Sequence, residues 1–365
     1  MEEIFKDLFI LELANNHWGS LDRGKKIIDS YVPIIRKHQE QGLRAAIKLQ
    51  FRDGEHFIHP DFLDRSDIRY IFKTKKTALN FNQFRELILY IQSFNIMAIA
   101  TPFDEESVRW CDLLNLPIIK IASSDINDWP LLQAIAQLEK PVICSTGGAN
   151  LDQIDPMVAF FEARNIPLAI NHCVALYPTE DQDLCLNQID LLKTRYPKHT
   201  IGFSTHEYHD WESSLLISYA KGARTFERHI DIDLGDYPVS PYCSLPDQIN
   251  LWFSAYHKAK KFCGEDFKNP RKISDQEINY LNQLVRGVYA KRDLPEGYEL
   301  NSENIFQDIY LAIPCLPDQL SCRDISQDIS QGIFQKGMTL KEKIKKDQKL
   351  DKNNLGLVKV FLNQI

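Results

Sequence analysis

Short apolar runs and longer amphipathic stretches alternate along the first two thirds of the chain. The apolar runs predict eight β-strands, at residues 5–14, 43–51, 96–103, 118–123, 141–146, 167–174, 200–206 and 224–231. The amphipathic stretches predict helices near residues 20–39, 82–93, 104–115, 130–138, 151–164, 185–196, 211–221 and 246–263. Eight strand–helix units in about 260 residues predict a (β/α)8 (TIM) barrel, whose usual size is about 250 residues. An open doubly wound sheet would give a similar alternation, so periodicity alone leaves that alternative open.

The pattern changes near residue 264. Residues 265–284 are polar and typical of a linker, and residues 285–365 contain short strand and turn units, with Ser302 opening a brief helix and a further unit from Gly332 onward. We therefore predict a barrel domain at 1–264, a linker at 265–284 and a small β-rich domain at 285–365. The polar, basic segment 52–81 is predicted to be an insertion after the second strand.

Composition narrows the class of protein. The 365 residues are 44% hydrophobic and 25% charged, as in an ordinary soluble protein. A net charge of −7 argues against nucleic acid or an anionic membrane as the main partner. The N-terminus lacks the features of a signal peptide, and no segment approaches a membrane span, so we expect a cytoplasmic location. The eight cysteines include no Cys-x-x-Cys pair and predict reduced thiols.

The most informative segment is the strand candidate Thr225–Asp231. Because strand side chains alternate between faces, Glu227 and His229 point the same way. The preceding strand also ends in a histidine, His206, with Ser204 on its face. Two neighbouring strands that end in inward polar groups indicate the mouth of a barrel that carries an active site.

Every predicted strand ends in at least one polar residue. These are Glu12, Lys48 with Gln50, Thr101, Lys120 with Ser123, Ser145 with Thr146, Asn171 with His172, Ser204 with His206, and Glu227 with His229. Barrel interiors are normally filled by branched apolar residues, so such a polar layer costs stability. A functional role therefore explains this set of polar residues better than a contribution to stability does.

The residue types indicate the chemistry. Lys48 and Lys120, with several hydroxyls, favour a phosphorylated, dianionic substrate, although salt-bridged lysines are the structural alternative. His206 and His229 are candidate ligands of a divalent metal, but no short ligand motif connects them. Glu227 is a candidate general acid or base, with an ion pair to a lysine as its alternative.

The ordered motifs resemble those of the sialic acid (N-acetylneuraminate) synthase family. They are Glu12 to Gly19, Lys48 to Gln50, Thr101 to Asp104, Lys120 to Ser123, Ser145 to Gly147, His172 with Cys173, Tyr177 to Thr179, Ser204 with His206, and Glu227 to His229. The match covers residues 8–264, and the tail, with Ala290–Leu294, Gly297 and residues 301–305, resembles the family's antifreeze-like (SAF) domain. The resemblance implies a barrel enzyme that condenses phosphoenolpyruvate with an aldose to give a 2-keto-3-deoxy sugar acid. It also implies a domain-swapped homodimer whose small domain caps the partner's barrel.

The resemblance also implies roles for individual residues. Phosphoenolpyruvate would be held by Lys48, Thr101, Lys120, Ser123, Ser145 and Ser204. A manganese or magnesium ion would be ligated by His206 and His229. The catalytic groups would be Glu227, Glu12 and Lys48, and the sugar would contact Glu12, Gln50 and Tyr177.

Three positions depart from the family pattern, and two of them fall on the sugar side. Ser240 stands where the family carries a sugar-binding aspartate, Ala175 stands where it has Asn or Ser, and Ile309 stands where it has an arginine that recognises the acetamido group. Arg286 and Arg323 are candidates to replace that arginine. The condensation chemistry is therefore better supported than N-acetylmannosamine as the acceptor.

Two other classes of protein remain as alternatives at this point. One is a metal-dependent sugar aldolase or isomerase on the same barrel, which would not need two lysines and a ring of hydroxyls. The other is a non-catalytic sugar-binding paralogue, which the retained lysines, histidines and Glu227 disfavour.

Overall fold

The protein forms two compact units. The computed structural model describes residues 3–264, 269–300, 305–325 and 338–357. One unit spans Met1–Glu265 and the other spans Asp266–Ile365. The predicted domain boundaries and the linker at 265–284 stay predictions.

Eight parallel strands close the first unit into a barrel. They are β1 Leu8–Ala14, β2 Arg44–Phe51, β3 Met97–Pro102, β4 Ile119–Ile121, β5 Val142–Ser145, β6 Leu168–Cys173, β7 Thr200–Thr205 and β8 Thr225–His229. Each strand pairs with the next along the chain, and β8 pairs with β1. This closure confirms the (β/α)8 barrel and excludes the open doubly wound sheet.

Helices surround the barrel in the expected order. They are α1 Leu21–Gln39, α2 Arg69–Lys76, α3 Phe81–Ser93, α4 Glu105–Leu113, α5 Trp129–Ala136, α6 Leu151–Glu162, α7 Gln188–Arg195, α8 Ser213–Lys221 and α9 Pro246–Cys263. Short 3-10 turns lie at Glu3–Phe5, Pro60–Phe62, Ser123–Asp125 and Asp181–Asp183. The segment 52–81 lies between β2 and α3 and contains α2, a helix that the sequence pattern did not predict.

Local sequence signals determine where several of these helices begin. Asn80 and Asn150 each form a capping box with the glutamine three residues later, so each asparagine side chain accepts a hydrogen bond from the first turn. Ser20 and Asp104 cap α1 and α4 in the same way without the reciprocal bond. The caps at Ser20, Asp104 and Asn150 lie in the loops that follow β1, β3 and β5, at the C-terminal ends of those strands.

The barrel interior is apolar at one end and polar at the other. A buried cluster with Leu8, Ile10, Ala46, Ile99 and Ile143 fills the end where the strands begin. Because strand side chains return to the same face every second residue, the next inward position after Ile10 is Glu12, and the next after Ala46 is Lys48. The apolar floor therefore supports a polar layer at the C-terminal ends of the strands.

The second unit has its own hydrophobic core and antiparallel strands. Its elements are α10 Asp275–Asn282, β9 Gly287–Ala290, β10 Glu299–Leu300, α11 Ile305–Asp308, β11 Ile309–Ala312, β12 Met338–Leu340, a 3-10 turn at Lys352–Asn354 and β13 Leu355–Leu357. Strands β9 and β11 pair, and β12 pairs with both β10 and β13. The small β-rich portion is thus present, whereas its antifreeze-like type stays a prediction. The predicted elements at Ser302 and at Gly332 lie outside the described residues.

All eight cysteines are free thiols in the structure. Within the described parts of the chain, no helix has the length and apolar character needed to cross a membrane.

Candidate active site

A cavity of about 840 Å³ opens at the C-terminal ends of the barrel strands. All the side chains predicted to bind phosphoenolpyruvate, the metal or the sugar line this cavity. Three other polar residues at strand ends do not line it. His172 bonds to the carbonyl oxygen of Leu184, Thr146 donates to the backbone of Asn171, and the Asn171 side chain accepts a hydrogen bond from Thr225.

Lys48 is enclosed by polar partners in the cavity. Its ammonium contacts the carboxylate of Glu12, lies 3.4 Å from Oε1 of Glu227, and donates to Oγ1 of Thr101 at 2.9 Å. Burial lowers the pKa of Lys48 to about 8, although the charge of Glu227 works in the opposite direction. Lys48 is therefore cationic at neutral pH and loses its charge as the pH rises through about 8.

Lys120 lies beside the other carboxylate oxygen of Glu227. Its Nζ donates to Oγ of Ser145 at 2.7 Å and to the carbonyl oxygen of Ile121 at 2.9 Å, and lies 4.0 Å from Oε2 of Glu227. Both lysines thus form ion pairs, as the structural alternative held, and both also face the cavity. The two interpretations of the lysines are compatible.

Glu227 lies between the two lysines and is almost fully buried. Burial alone would raise the pKa of Glu227, but the charges of Lys120 and Lys48 outweigh it and hold the pKa below its usual value. Among the described residues, Oε2 of Glu227 has no hydrogen-bond partner. An ionised carboxylate with one unsatisfied oxygen can accept a proton or orient a water molecule.

The remaining hydroxyls lie on neighbouring elements. Ser123 begins the 3-10 turn after β4 and accepts a hydrogen bond from the backbone N–H of Gly147 at 3.0 Å. Ser204 on β7 is paired in register with Glu227 on β8. Both hydroxyls border the cavity beside the lysines, so they can donate hydrogen bonds to an anion bound there.

His206 and His229 bring two neutral imidazoles together. Nδ1 of His206 lies 2.9 Å from the carbonyl oxygen of Val174, and since a carbonyl only accepts, this nitrogen carries the proton and leaves Nε2 free. Burial lowers the pKa of His206 to about 4 and that of His229 well below its usual value. Their ring centroids are 5.3 Å apart.

These histidines fit a divalent ion that the chain holds by two imidazoles. Metal ions bind the neutral imidazole, which is the form that burial favours here. In the part of the chain that the structure describes, there is no group of three or more His, Cys, Asp or Glu side chains suited to a metal ion. Further ligands would therefore be water or substrate oxygens.

The residues predicted to contact the sugar lie around the same opening. Oε1 of Gln50 accepts two hydrogen bonds of 3.2 Å from Arg52, whose guanidinium lies 3.7 Å above the ring of Phe103. The ring of Tyr177 lies 4.0 Å from His206 and 5.2 Å from Tyr242, centroid to centroid. Glu12 and these groups give this side of the cavity a mixed aromatic and polar wall.

The cavity is also lined by residues that the sequence analysis did not single out as site residues, among them the charged or aromatic side chains of Arg52, Arg69, Lys73, Asp125 and Tyr242. Arg69 and Lys73 belong to α2, so the insertion contributes to the wall of the site. The basic composition of segment 52–81 was the sequence signal that could have indicated these two residues. Burial raises the pKa of Asp125 to about 6, and nothing in its surrounding sequence indicates this.

The positions that depart from the family pattern have different surroundings. Ala175 lines the cavity, whereas Ser240 belongs to the segment that leads to Tyr242. Ile309 is 2% exposed and packs in the core of the small unit. A side chain at position 309 points into that core, so this position does not correspond to a ligand-facing arginine, and the expectation built on it is corrected. Arg286 and Arg323 also lie in the small unit.

The fold and the cavity together define a (β/α)8 barrel whose mouth holds two buried lysines beside two neutral imidazoles. The chain belongs to the NeuB family, whose family model matches residues 34–267. A crystal structure of a putative spore coat polysaccharide biosynthesis protein E from Chromobacterium violaceum shares 34% identity and a TM-score of 0.87, covering 96% of this chain and 100% of that one.

Curated relatives agree with this assignment. The N-acetylneuraminate-9-phosphate synthase of Drosophila melanogaster is 29% identical, with 80% of this chain and 83% of the relative covered. The N,N'-diacetyllegionaminic acid synthase of Campylobacter jejuni is also 29% identical, with coverages of 82% and 89%. The chain is therefore a phosphoenolpyruvate-dependent enzyme of the sialic acid synthase type, as its motifs predicted.

Proposed function

We propose that this enzyme condenses phosphoenolpyruvate with an aldose to give a 2-keto-3-deoxy sugar acid and inorganic phosphate. The observation that carries the proposal is the placement of Lys48 and Lys120 beside the neutral imidazoles of His206 and His229 in one cavity. Cations and hydroxyls suit the anionic substrate, and the imidazoles suit an ion.

Phosphoenolpyruvate would occupy the side of the cavity with the two lysines. Its phosphate and carboxylate would receive hydrogen bonds from the residues predicted for this role: Lys48, Thr101, Lys120, Ser123, Ser145 and Ser204. The existing hydrogen bonds from Lys48 to Thr101 and from Lys120 to Ser145 support this, because they already orient both ammonium groups. Such preorganisation reduces the cost of binding a multiply charged ligand.

His206 and His229 would hold a manganese or magnesium ion. When bound, such an ion supplies Lewis-acid polarisation of a carbonyl oxygen, here that of the aldose. The chain's own part is to keep both imidazoles neutral and to orient His206 through its bond to Val174. Tyr177 packs on His206 and would limit the directions from which the sugar can approach.

Glu227 would act as the general base that accepts a proton from the attacking water. In the net reaction C3 of phosphoenolpyruvate forms a bond to the aldehyde carbon, the aldehyde oxygen gains a proton, water adds at C2, and phosphate leaves. The unsatisfied Oε2 of the ionised Glu227 is suited to accept the proton from that water. In this scheme Lys48 keeps Glu227 ionised, and Glu12 orients the sugar hydroxyls. Both residues are therefore counted as catalytic.

The acceptor is proposed to be an aldose other than N-acetylmannosamine, in contact with Glu12, Gln50 and Tyr177. The absence of an aspartate at Ser240 supports this choice. We also propose a domain-swapped homodimer in the cytoplasm, in which the antifreeze-like domain 285–365 caps the partner's barrel. Deletion of residues 265–365 should then abolish dimerisation in sedimentation analysis and reduce turnover.

Phosphate release tests the central proposal. Purified full-length protein would be incubated with phosphoenolpyruvate, manganese and a panel of aldoses, with the sugar acid identified by mass spectrometry. Release of phosphate that depends on both substrates, and stops with a chelator, is expected. Isomerisation or cleavage of an aldose without phosphoenolpyruvate would instead support the aldolase or isomerase alternative.

A further inference from the structure

Arg228 lies between Glu227 and His229 on β8, and its side chain leaves the opposite face of the strand. The residue is only 1% exposed, so a permanent positive charge is buried behind the barrel wall. Its guanidinium carbon lies 5.7 Å from the ring of Trp211 and 6.0 Å from that of Trp252. The proposed chemistry uses no group on this side of β8, so the buried arginine requires its own explanation.

Three hydrogen bonds join Arg228 to two other segments. Nη1 donates to Oε1 of Glu207 at 2.6 Å, Nη2 donates to the backbone oxygen of Glu207 at 2.8 Å, and Nε donates to Oγ of Ser244 at 2.9 Å. Glu207 directly follows His206, and the N–H of Ser244 donates to the carbonyl oxygen of His229 at 2.8 Å. Each segment that Arg228 holds is therefore adjacent to one of the two imidazoles.

Both partners of Arg228 are themselves fixed. The hydroxyl of Ser214 on α8 donates to the carboxylate of Glu207. The indole N–H of Trp211 donates to Oγ of Ser244 at 2.9 Å. The arginine is thus the centre of a buried network that connects the end of β7, the start of α8 and the segment before α9.

Stability alone does not account for this network. Replacing a buried ion pair with apolar residues of similar volume is often neutral or stabilising, whereas removing one partner alone is strongly destabilising. A site with two protein ligands depends on the separation of those ligands, and residues behind metal ligands typically change metal affinity by about 10- to 100-fold. The network connects to both histidines and so can control that separation.

We propose that Arg228 and Glu207 are a positioning pair that sets the separation of His206 and His229 and thereby the affinity of the enzyme for a divalent ion. This inference rests on the part of the proposed function that assigns an ion to the two histidines.

Manganese titration of the metal-free, full-length protein tests the proposal without any substrate. The double variant Arg228→Met/Glu207→Met removes both charges together, so we expect it to fold with a near-normal unfolding midpoint. Its manganese affinity, measured by electron paramagnetic resonance, should fall by about 10- to 100-fold. Arg228→Lys keeps the charge but loses the planar fork that bonds Glu207 and Ser244 together, so it should show a smaller loss. Arg224→Met, which alters the residue just before β8 at the strand's other end, should bind manganese as the wild type does.

The outcomes are distinguishable. A folded double variant with wild-type manganese affinity would overturn the positioning role. If the double variant does not fold, Arg228→Lys decides the matter, and unchanged manganese affinity in that variant would overturn the proposal. Wild-type protein that binds no manganese would refute the ion site itself, and the positioning role with it.

Discussion

The imidazole rings of His206 and His229 lie 5.3 Å apart, centroid to centroid, although His206 directly follows β7 and His229 is the last residue of β8. The barrel brings them together because β7 and β8 are neighbours and both histidines lie at the C-terminal ends. Neither imidazole is protonated near neutral pH, since burial lowers both pKa values. This pair is the basis of the first prediction.

His229→Ala should abolish both metal binding and turnover while leaving the fold intact. The substitution leaves a single imidazole, which is a weak ligand set for a divalent ion. Bound manganese would be measured by elemental analysis, and the fold by circular dichroism. His172→Ala is the matched control, because His172 is a buried histidine on β6 that lies outside the cavity. Full activity of the wild type in the presence of a strong chelator would contradict the prediction.

Lys120→Ala should weaken phosphoenolpyruvate binding while metal content stays normal. The substitution removes a buried charge opposite a multiply charged anion, a loss of roughly 3–5 kcal/mol. This corresponds to about 150- to 5,000-fold in dissociation constant, measurable by calorimetry. Lys140→Ala is the control, because Lys140 pairs with Asp112 at the other end of the barrel strands. Unchanged affinity would mean that Lys120 is structural.

The efficiency of phosphoenolpyruvate use should fall as the pH rises through about 8. Burial lowers the pKa of Lys48 to about 8, so the free enzyme loses this positive charge well below the usual pKa of a lysine. A plot of kcat/KM against pH reports groups of the free enzyme. Lys48→Met should have low kcat/KM and lack this alkaline limb. A wild-type profile that stays flat to pH 10 would contradict the assignment.

The sequence predicted the barrel because its signals are local and repeated. Alternation of apolar runs and amphipathic stretches gave all eight strands within a few residues, and the polar residue at each strand end marked the mouth. Closure, however, is a long-range pairing of β1 with β8 that no local pattern contains. The motif order, more than periodicity, distinguished the closed barrel from an open sheet.

The parts of the site that escaped prediction depend on tertiary packing. Helix α2 lies in an insertion whose basic composition was visible in the sequence, but that composition does not show that the helix brings Lys73 to the cavity wall. Asp125 acquires its raised pKa from burial, which the sequence does not reveal. Position 309 was taken as facing the sugar, but strand alternation in β11 turns it into the core of the small unit.

Gly202→Ala should destabilise the barrel strongly. An added Cβ would lie 2.6 Å from the backbone oxygen of Thr225 and closer still to the side-chain oxygens of Thr225 and Asn171. Backbone of the neighbouring strand cannot move away cheaply, so we expect a loss of about 3 kcal/mol or more in the free energy of unfolding. Gly54→Ala is the control, because its added Cβ would make only an ordinary contact of 3.4 Å with Ala78. Equal urea midpoints for the two variants would contradict this prediction.

N-acetylmannosamine should be a poor acceptor compared with another aldose. The sugar-binding aspartate of the family pattern is replaced by Ser240, and Ala175 removes a polar group from the cavity wall. A site that hydrogen-bonds a polar group of the sugar can disfavour analogues without that group by about 10,000-fold. A site that has lost its own hydrogen-bonding group should therefore lose its preference for N-acetylmannosamine. We expect kcat/KM for N-acetylmannosamine to be at least about tenfold below that for the best aldose in the panel.

Ser240→Asp provides the sharper test of acceptor choice. The variant returns a carboxylate to the segment before Tyr242 and should raise kcat/KM for N-acetylmannosamine relative to the preferred aldose. Its KM for phosphoenolpyruvate should not change, because the lysine side of the cavity is untouched. Arg286→Ala and Arg323→Ala would show whether either arginine contributes to acceptor binding, through a rise in KM for the aldose alone. Wild-type protein that converts N-acetylmannosamine better than every other aldose tested would show that the changes at positions 240 and 175 are neutral.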